Sequence, residues 1–457
     1  VITNAYLVKK NLEREALERG IHKILDFQGP IMTDSGAYQI LQYGEIEVDP
    51  YEIVKFQEKI GSDIAVILDI PTGGYADRSE AERTVMETLR RAKESVKFRS
   101  RDDILWVVPV QGGRHLDLVA LSARESVKLP YHIVAIGSPT EIMEGYDFET
   151  LVRIIMTVKL NIPPGIPIHL FGAGHPMIFP FIVALGVDLF DSAAYAIYAK
   201  NDRYLTPYGT YRLEKLSELP CSCPICTKYT VNELLEMSKI ERTKLIAKHN
   251  LYVSLSELKL VRQAIREGSL WELLEMKSKV HPALHRAFKL ICEYRDYLEK
   301  LDPEVKGVPH GLFLYDSLSL NRPELIRHKR RIIENYEVPK EFKKAVIFLG
   351  EISKPFRRAK EYHTLKETYP EHHILFATPF FNIIPEELSE TYPLSQWERG
   401  AYDEEVINEL VDFIRRYFES KRYSEIVIVY KDDWKRIAYR IYRVLKGKVQ
   451  DISIRKF

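Results

Sequence analysis

Cysteine is nearly absent from this sequence, with four residues in 457. That is too few for a disulfide framework and excludes the small stapled domains of secreted proteins. Long apolar runs are missing too. The longest, around Met177–Leu185, falls well short of the roughly 20 residues that span a bilayer. No leader pattern opens the chain, which begins on Val1. These absences predict a cytoplasmic protein with reduced thiols and no membrane partner. There is no P-loop, no HExxH helix, and no glycine-rich dinucleotide fingerprint after the first β-like run. No charge of one sign dominates. Lys and Arg number 66 against 65 acids, a net charge of +1, so the distribution of charge must indicate any polyanionic partner. Asn and Gln are few beside Glu and Lys, which leans toward heat adaptation.

What is present is a repeated theme. Short apolar, β-branched runs end in small or polar residues, and helix-like segments follow them. The runs are 1–8, 30–36, 64–71, 104–113, 132–139, 166–174 and 187–195. Asp49-Pro50, Asp77 with Glu80, and His175-Pro176 read as helix starts. Strands alternating with helices imply a parallel sheet, and runs apolar throughout imply strands covered on both faces. Seven strands are one short of a (β/α)₈ TIM-type barrel. We expect such a barrel, with its first strand before Val1, over a doubly wound sheet.

Residues 230–301 have a helical pattern. Asp302-Pro303, Gly307 and Pro309 then mark a boundary, and strand-like runs recur at 344–350, 373–379 and 425–430. The expected division is a catalytic barrel over 1–301, with a metal-binding insertion at about 215–300, and a smaller α/β region over 302–457. Segment 322–358 carries 11 Lys and Arg against 5 acids, and segment 421–457 carries 11 against 4. Two such blocks in one region favour contact with a phosphate backbone.

Three of the four cysteines lie within CSCPIC, as Cys221, Cys223 and Cys226. His249 follows at the end of a helical stretch, and a helix folding back supplies the fourth corner of a tetrahedron. Cys₃His with no open position is a structural zinc site rather than a redox pair. Cys292 reads as core.

The carboxyl ends of barrel strands form an active-site mouth. Asp34-Ser35-Gly36, Asp69, Gln111-Gly112-Gly113, Ile136-Gly137-Ser138 and Asp191-Ser192 all stand at such ends. Three carboxylates there admit a nucleophile at an anomeric carbon and a general acid/base, as in retaining glycosyl transfer. The third, with Gln111, can read the edge of a purine-like base.

TDSGAYQ (33–39), VQGG (110–113), GAGHP (172–176), GVDLFDSAAY (186–195) and CSCPIC with His249 resemble the tRNA-guanine transglycosylase family, its archaeal branch above all. The resemblance covers residues 1–300. It implies base exchange in tRNA, with guanine at position 15 replaced by 7-cyano-7-deazaguanine on the way to archaeosine. On this resemblance Asp191 is the nucleophile and Asp34 the general acid/base. Asp69, Gln111 and the Gly137 backbone read the base, Tyr38 and Phe171 sandwich it, and Ser35 and Gln39 orient the pocket. Structural Zn²⁺ and a homodimer are implied as well. SGAYQ stands where bacterial members read SGGFQ, and Ile70-Pro71 stands where they carry a Cys, which favours the cyano base. Region 302–457 then reads as a tRNA-binding accessory region, with no pattern of a terminal PUA domain.

Two rivals remain at this stage. An archaeosine synthase-like paralogue is disfavoured because EISKPFRRAKEYH (351–363) has no Cys before Lys354-Pro355-Phe356. A non-catalytic tRNA-binding subunit is disfavoured because Asp34 and Asp191 are both retained.

Overall fold

The computed structural model describes residues 1–37, 49–137, 139–308, 310–449 and 451–457. They fall into two compact units, one of residues 1–262 and 276–290, the other of residues 263–275 and 291–457.

The first unit is built on seven strands, β1 (Ile2–Asn4), β2 (Met32–Asp34), β3 (Ile64–Val66), β4 (Leu105–Val110), β5 (Ile133–Ile136), β6 (Ile168–Leu170) and β7 (Leu189–Phe190). They pair in chain order, every neighbour parallel. Each expected run therefore contains a strand. The sheet curls, since one cavity is lined from the carboxyl ends of all seven. This is the TIM-type architecture expected.

The run 1–8 needs correction. Only Ile2–Asn4 is strand, and a helix begins at Ala5, because the Asn4 side chain accepts the Leu7 N–H at 2.9 Å and caps it. The other helix starts hold. Asp49 caps Pro50–Ile60, Asp77 caps Arg78–Phe98, and His175 caps the short turn at Pro176–Ile178.

Strand pleating decides which residues face inward. Met32, Val66, Val107, Ile133 and Ala135 pack together inside the curl. Thr33 faces the other way and donates to Gln57 of the covering helix at 2.7 Å. Counting on by twos from the inward residues reaches Asp34, Gln111 and Gly137. All three line the cavity.

The second unit carries a five-stranded sheet in the order Asn382–Pro385, His372–Thr378, Lys344–Leu349, Glu425–Tyr430, Asp451–Lys456, beside a separate parallel pair of Leu312–Leu314 with Trp397–Arg399. In the five-stranded sheet the last four run parallel and the first is antiparallel. Alternate residues bury on opposite faces. Ala345, Ile347 and Leu349 join one core, Val346 and Phe348 the other. That is why these runs are apolar at every position.

Candidate active site

A cavity of about 600 Å³ opens at the carboxyl ends of the seven strands. Asp34, Asp69, Gln111, Gly137, Phe171 and Asp191 all line it. Ser35 is fully buried with no hydrogen-bond partner for its hydroxyl among the described residues, and it is not among those that line the cavity. Tyr38 and Gln39 lie outside the described residues.

Asp34 ends β2. Burial, followed by the negative charges of Asp69 and Asp191, pushes its carboxyl up to about 7. The N–H groups of Gly36 and Ser35 oppose this only in part. At neutral pH this carboxyl is poised to give or take a proton.

Asp69 is 6 % exposed, and burial pushes it up to about 6 against the Gln111 hydrogen bond and the Arg91 charge. Gln111 is locked at both ends. Its Nε2 donates to Asp69 Oδ2 at 2.5 Å, and its Oε1 accepts the Thr72 N–H at 2.9 Å. Only the second Nε2 hydrogen is left to donate, so Gln111 presents a donor beside the Asp69 acceptor. Gly137 makes room for this arrangement. A Cβ there would stand 2.2 Å from Gln111 Nε2 and 2.7 Å from its Cδ.

Asp191 follows β7. Its Oδ1 accepts the Gly172 N–H at 3.1 Å and lies 3.1 Å from His169 Nε2. Its carbonyl accepts the Ala173 N–H at 2.7 Å. Ser192 Oγ donates to Gly174 O at 2.7 Å, tying the same turn down. Both side-chain contacts fall on Oδ1, which leaves Oδ2 without a hydrogen-bond partner among the described residues.

His169 is the residue that sequence reasoning missed. It is 3 % exposed, its ring sits 4.8 Å from that of Phe171, and its Nδ1 has no hydrogen-bond partner among the described residues. The available signal was parity, because His169 shares the inward face of β6 with Phe171 in an otherwise apolar run.

The cysteine cluster lies elsewhere in the first unit. The ligand atoms of Cys221, Cys223, Cys226 and His249 lie within 4.8 Å of one another. His249 Nδ1 is 3.4 Å from Cys223 Sγ and 3.3 Å from Cys226 Sγ. On the far side of the ring Nε2 donates to Leu205 O at 2.9 Å, which fixes the tautomer with its Nδ1 lone pair toward the sulfurs. Burial pushes His249 down to about 4, so the ring stays neutral, the form that binds metal. The ring of Tyr204 stacks on His249 at 3.7 Å, and its hydroxyl lies 3.2 Å from Cys226 Sγ. The donor set fits a metal ion held in a closed tetrahedron. None of these four residues lines the cavity. Cys292 is buried, as expected of a core residue.

Known proteins bear directly on this geometry. Residues 1–283 match the queuine tRNA-ribosyltransferase family, and residues 325–454 match a domain of unknown function, DUF5591. A tRNA-guanine(15) transglycosylase of Saccharolobus solfataricus is 47% identical over 94% of this chain and 86% of its own length. Its counterpart in Pyrobaculum aerophilum is 44% identical over 96% of this chain and 87% of its own. One from Methanocaldococcus jannaschii is 42% identical over 91% of this chain but 64% of its own length. The family match spans well over half of the chain and contains every residue that lines the cavity, so the chain belongs to the queuine tRNA-ribosyltransferase family.

Proposed function

We propose that this pentosyltransferase exchanges guanine at position 15 of tRNA for 7-cyano-7-deazaguanine by double displacement. The carrying observation is one cavity that holds three carboxylates with separate environments: Asp34 raised to about 7, Asp69 bound to Gln111, and Asp191 pinned through one oxygen. Position 15 is the one named for the relatives, tRNA-guanine(15) transglycosylases.

A base inside folded tRNA is out of reach, so the target nucleotide flips into the cavity. Asp69 accepts from the N1–H and exocyclic amine of guanine. Gln111 donates its remaining Nε2 hydrogen to the O6 side, with the Gly137 backbone beside it. Phe171 covers one face of the ring, and Tyr38 is proposed for the other. Ser35 and Gln39 keep the orienting roles that the resemblance implies.

Asp191 Oδ2 then attacks C1′ while the glycosidic bond breaks and its electron pair leaves with the base. Protonated Asp34 gives its proton to the departing guanine. The result is a ribosyl ester on Asp191 and a carboxylate on Asp34. The incoming base loses its ring N–H proton to Asp34, attacks C1′ and frees Asp191. Two inversions give retention.

Cys221, Cys223, Cys226 and His249 would hold Zn²⁺, which cross-links the segment after β7 and supplies no catalysis. Region 302–457 serves as the accessory tRNA-binding part, with exposed Lys435, Arg443 and Lys446 available to phosphates. The resemblance also carries a homodimer, which sedimentation of the purified protein tests.

The decisive experiment incubates the full chain with radiolabelled guanine and unmodified tRNA. Incorporation at position 15, together with a covalent tRNA adduct lost in Asp191→Ala, is expected. No incorporation by folded protein sinks the exchange reading. An adduct that persists in Asp191→Ala sinks the nucleophile.

A further inference from the structure

The cavity is larger than a slot for one base. Beyond the residues used above, it is lined by Met143, Glu144, Tyr146, Phe148, Ile197 and Tyr198. The proposed chemistry uses none of them.

Tyr146 stands out among these. It is 41 % exposed, and its backbone is left-handed at φ 56°. Such a conformation is costly for a bulky aromatic, and residues held in this way concentrate at ligand sites. The surroundings hold it in place. Its N–H donates to Met143 O at 3.0 Å, and its ring lies 5.6 Å from Phe148 and 4.9 Å from His281. On the same side of the cavity the half-buried Tyr198 carries the Arg203 guanidinium 5.4 Å from its ring centroid. Arg203 is exposed and has no carboxylate partner among the described residues. Aromatic faces beside a free guanidinium are what single-stranded nucleic acid needs, the rings for bases and the cation for phosphate.

We propose that the Tyr146–Tyr198 side of the cavity is a second subsite, which stacks the base adjoining the one exchanged while Arg203 meets the phosphate between them. The proposal rests on the exchange reading above. Flipping one nucleotide strips its neighbour of a stacking partner. C1′ of the flipped nucleotide must reach Asp191, and its strand enters and leaves through one mouth, so the neighbour arrives at the rim. An aromatic platform there replaces the lost stack. Glu144 offers an acceptor to an amino group on that base.

The test is a cycle of protein and RNA changes, read as guanine incorporation by the full chain. Transcripts carry an abasic residue at position 14 or at position 16. With wild-type protein, one of the two raises KM for tRNA by about tenfold, the scale of one lost base stack. Tyr146→Ala raises KM for intact tRNA by a similar factor, and the abasic change then adds nothing more. Tyr146→Phe behaves as wild type. Losses that multiply, or an unchanged KM in Tyr146→Ala, overturn the subsite. If wild-type protein incorporates no guanine, the exchange reading fails instead. A second readout works without turnover. 2-Aminopurine at the adjoining position is quenched on binding to wild type and Tyr146→Phe but not to Tyr146→Leu. Equal quenching by all three overturns the proposal.

Discussion

His169 Nε2 lies 3.1 Å from Asp191 Oδ1, the same oxygen that accepts the Gly172 N–H. Two donors on one oxygen fix the carboxylate plane, and in the proposed mechanism Oδ2 is the attacking atom. His169→Phe keeps the ring volume and the packing on Phe171 while removing the donor. We expect kcat to fall about 10- to 100-fold, the usual cost of a slightly misplaced reacting group, with KM for tRNA holding. A slower rise of the covalent adduct in single-turnover experiments checks it. An unchanged kcat would show that Gly172 alone suffices.

Activity should follow a narrow bell in pH. On the proposed base recognition Asp69 must be ionised to accept, and its carboxyl sits at about 6, so base binding is expected to weaken below that. In the proposed mechanism Asp34 carries the proton that releases guanine, and it loses that proton above about 7. The limbs of kcat/KM for tRNA are expected near these values. In Asp69→Asn the acid limb should disappear along with most base affinity.

Stability follows the opposite logic at Asp34. Its folded value of about 7 exceeds the ordinary 3.8, so folded protein holds a proton that the unfolded chain has released. The contribution is fullest below the unfolded value and is lost as pH rises toward about 7. Asp34→Asn removes that slope. We expect the variant to be inactive yet higher in Tm at neutral pH, by thermal melts across pH 5 to 8. An identical slope in the variant would contradict the assignment.

Gly137→Ala puts a methyl group where Gln111 sits, with a Cβ 2.2 Å from Nε2. Gln111 cannot swing away without breaking its bonds to Asp69 and Thr72. Two buried hydrogen bonds are at risk, each worth about 1 kcal/mol or more. KM for guanine is expected to rise at least tenfold while the fold survives, as judged by circular dichroism.

Metal removal should act on stability before chemistry. One zinc per chain is expected by elemental analysis. Strong chelators should lower Tm, because ligand binding to the folded state is itself folding free energy. Cys223→Ser should lose both the metal and the Tm increment. Loss of zinc without any change in Tm would refute a structural role.

Much was legible in the sequence because it is local. Apolar runs such as AVIFL (345–349) and IVIVY (426–430) declared strands covered on both faces. Asn4 was a cap in plain view, but the β-branched residues around it hid the helix that starts at Ala5. The edge strand Asp451–Lys456 escaped notice because charged residues break up its pattern. The cysteines announced a candidate metal site through their spacing, and His249 joins them in the structure.

By itself the sequence determined the strand–helix alternation, the chemical types at the strand ends and the composition of the candidate metal site. Each depends on residues near one another in the chain. Tertiary structure decided the rest. Gln111 meets Asp69 across 42 positions and His169 meets Asp191 across 22. Asp34 owes its proton affinity to burial and to two carboxylates from other strands. Electrostatics and hydrogen bonding act through space. Whether an aspartate is an acid, an acceptor or a nucleophile is therefore set by what the fold brings beside it.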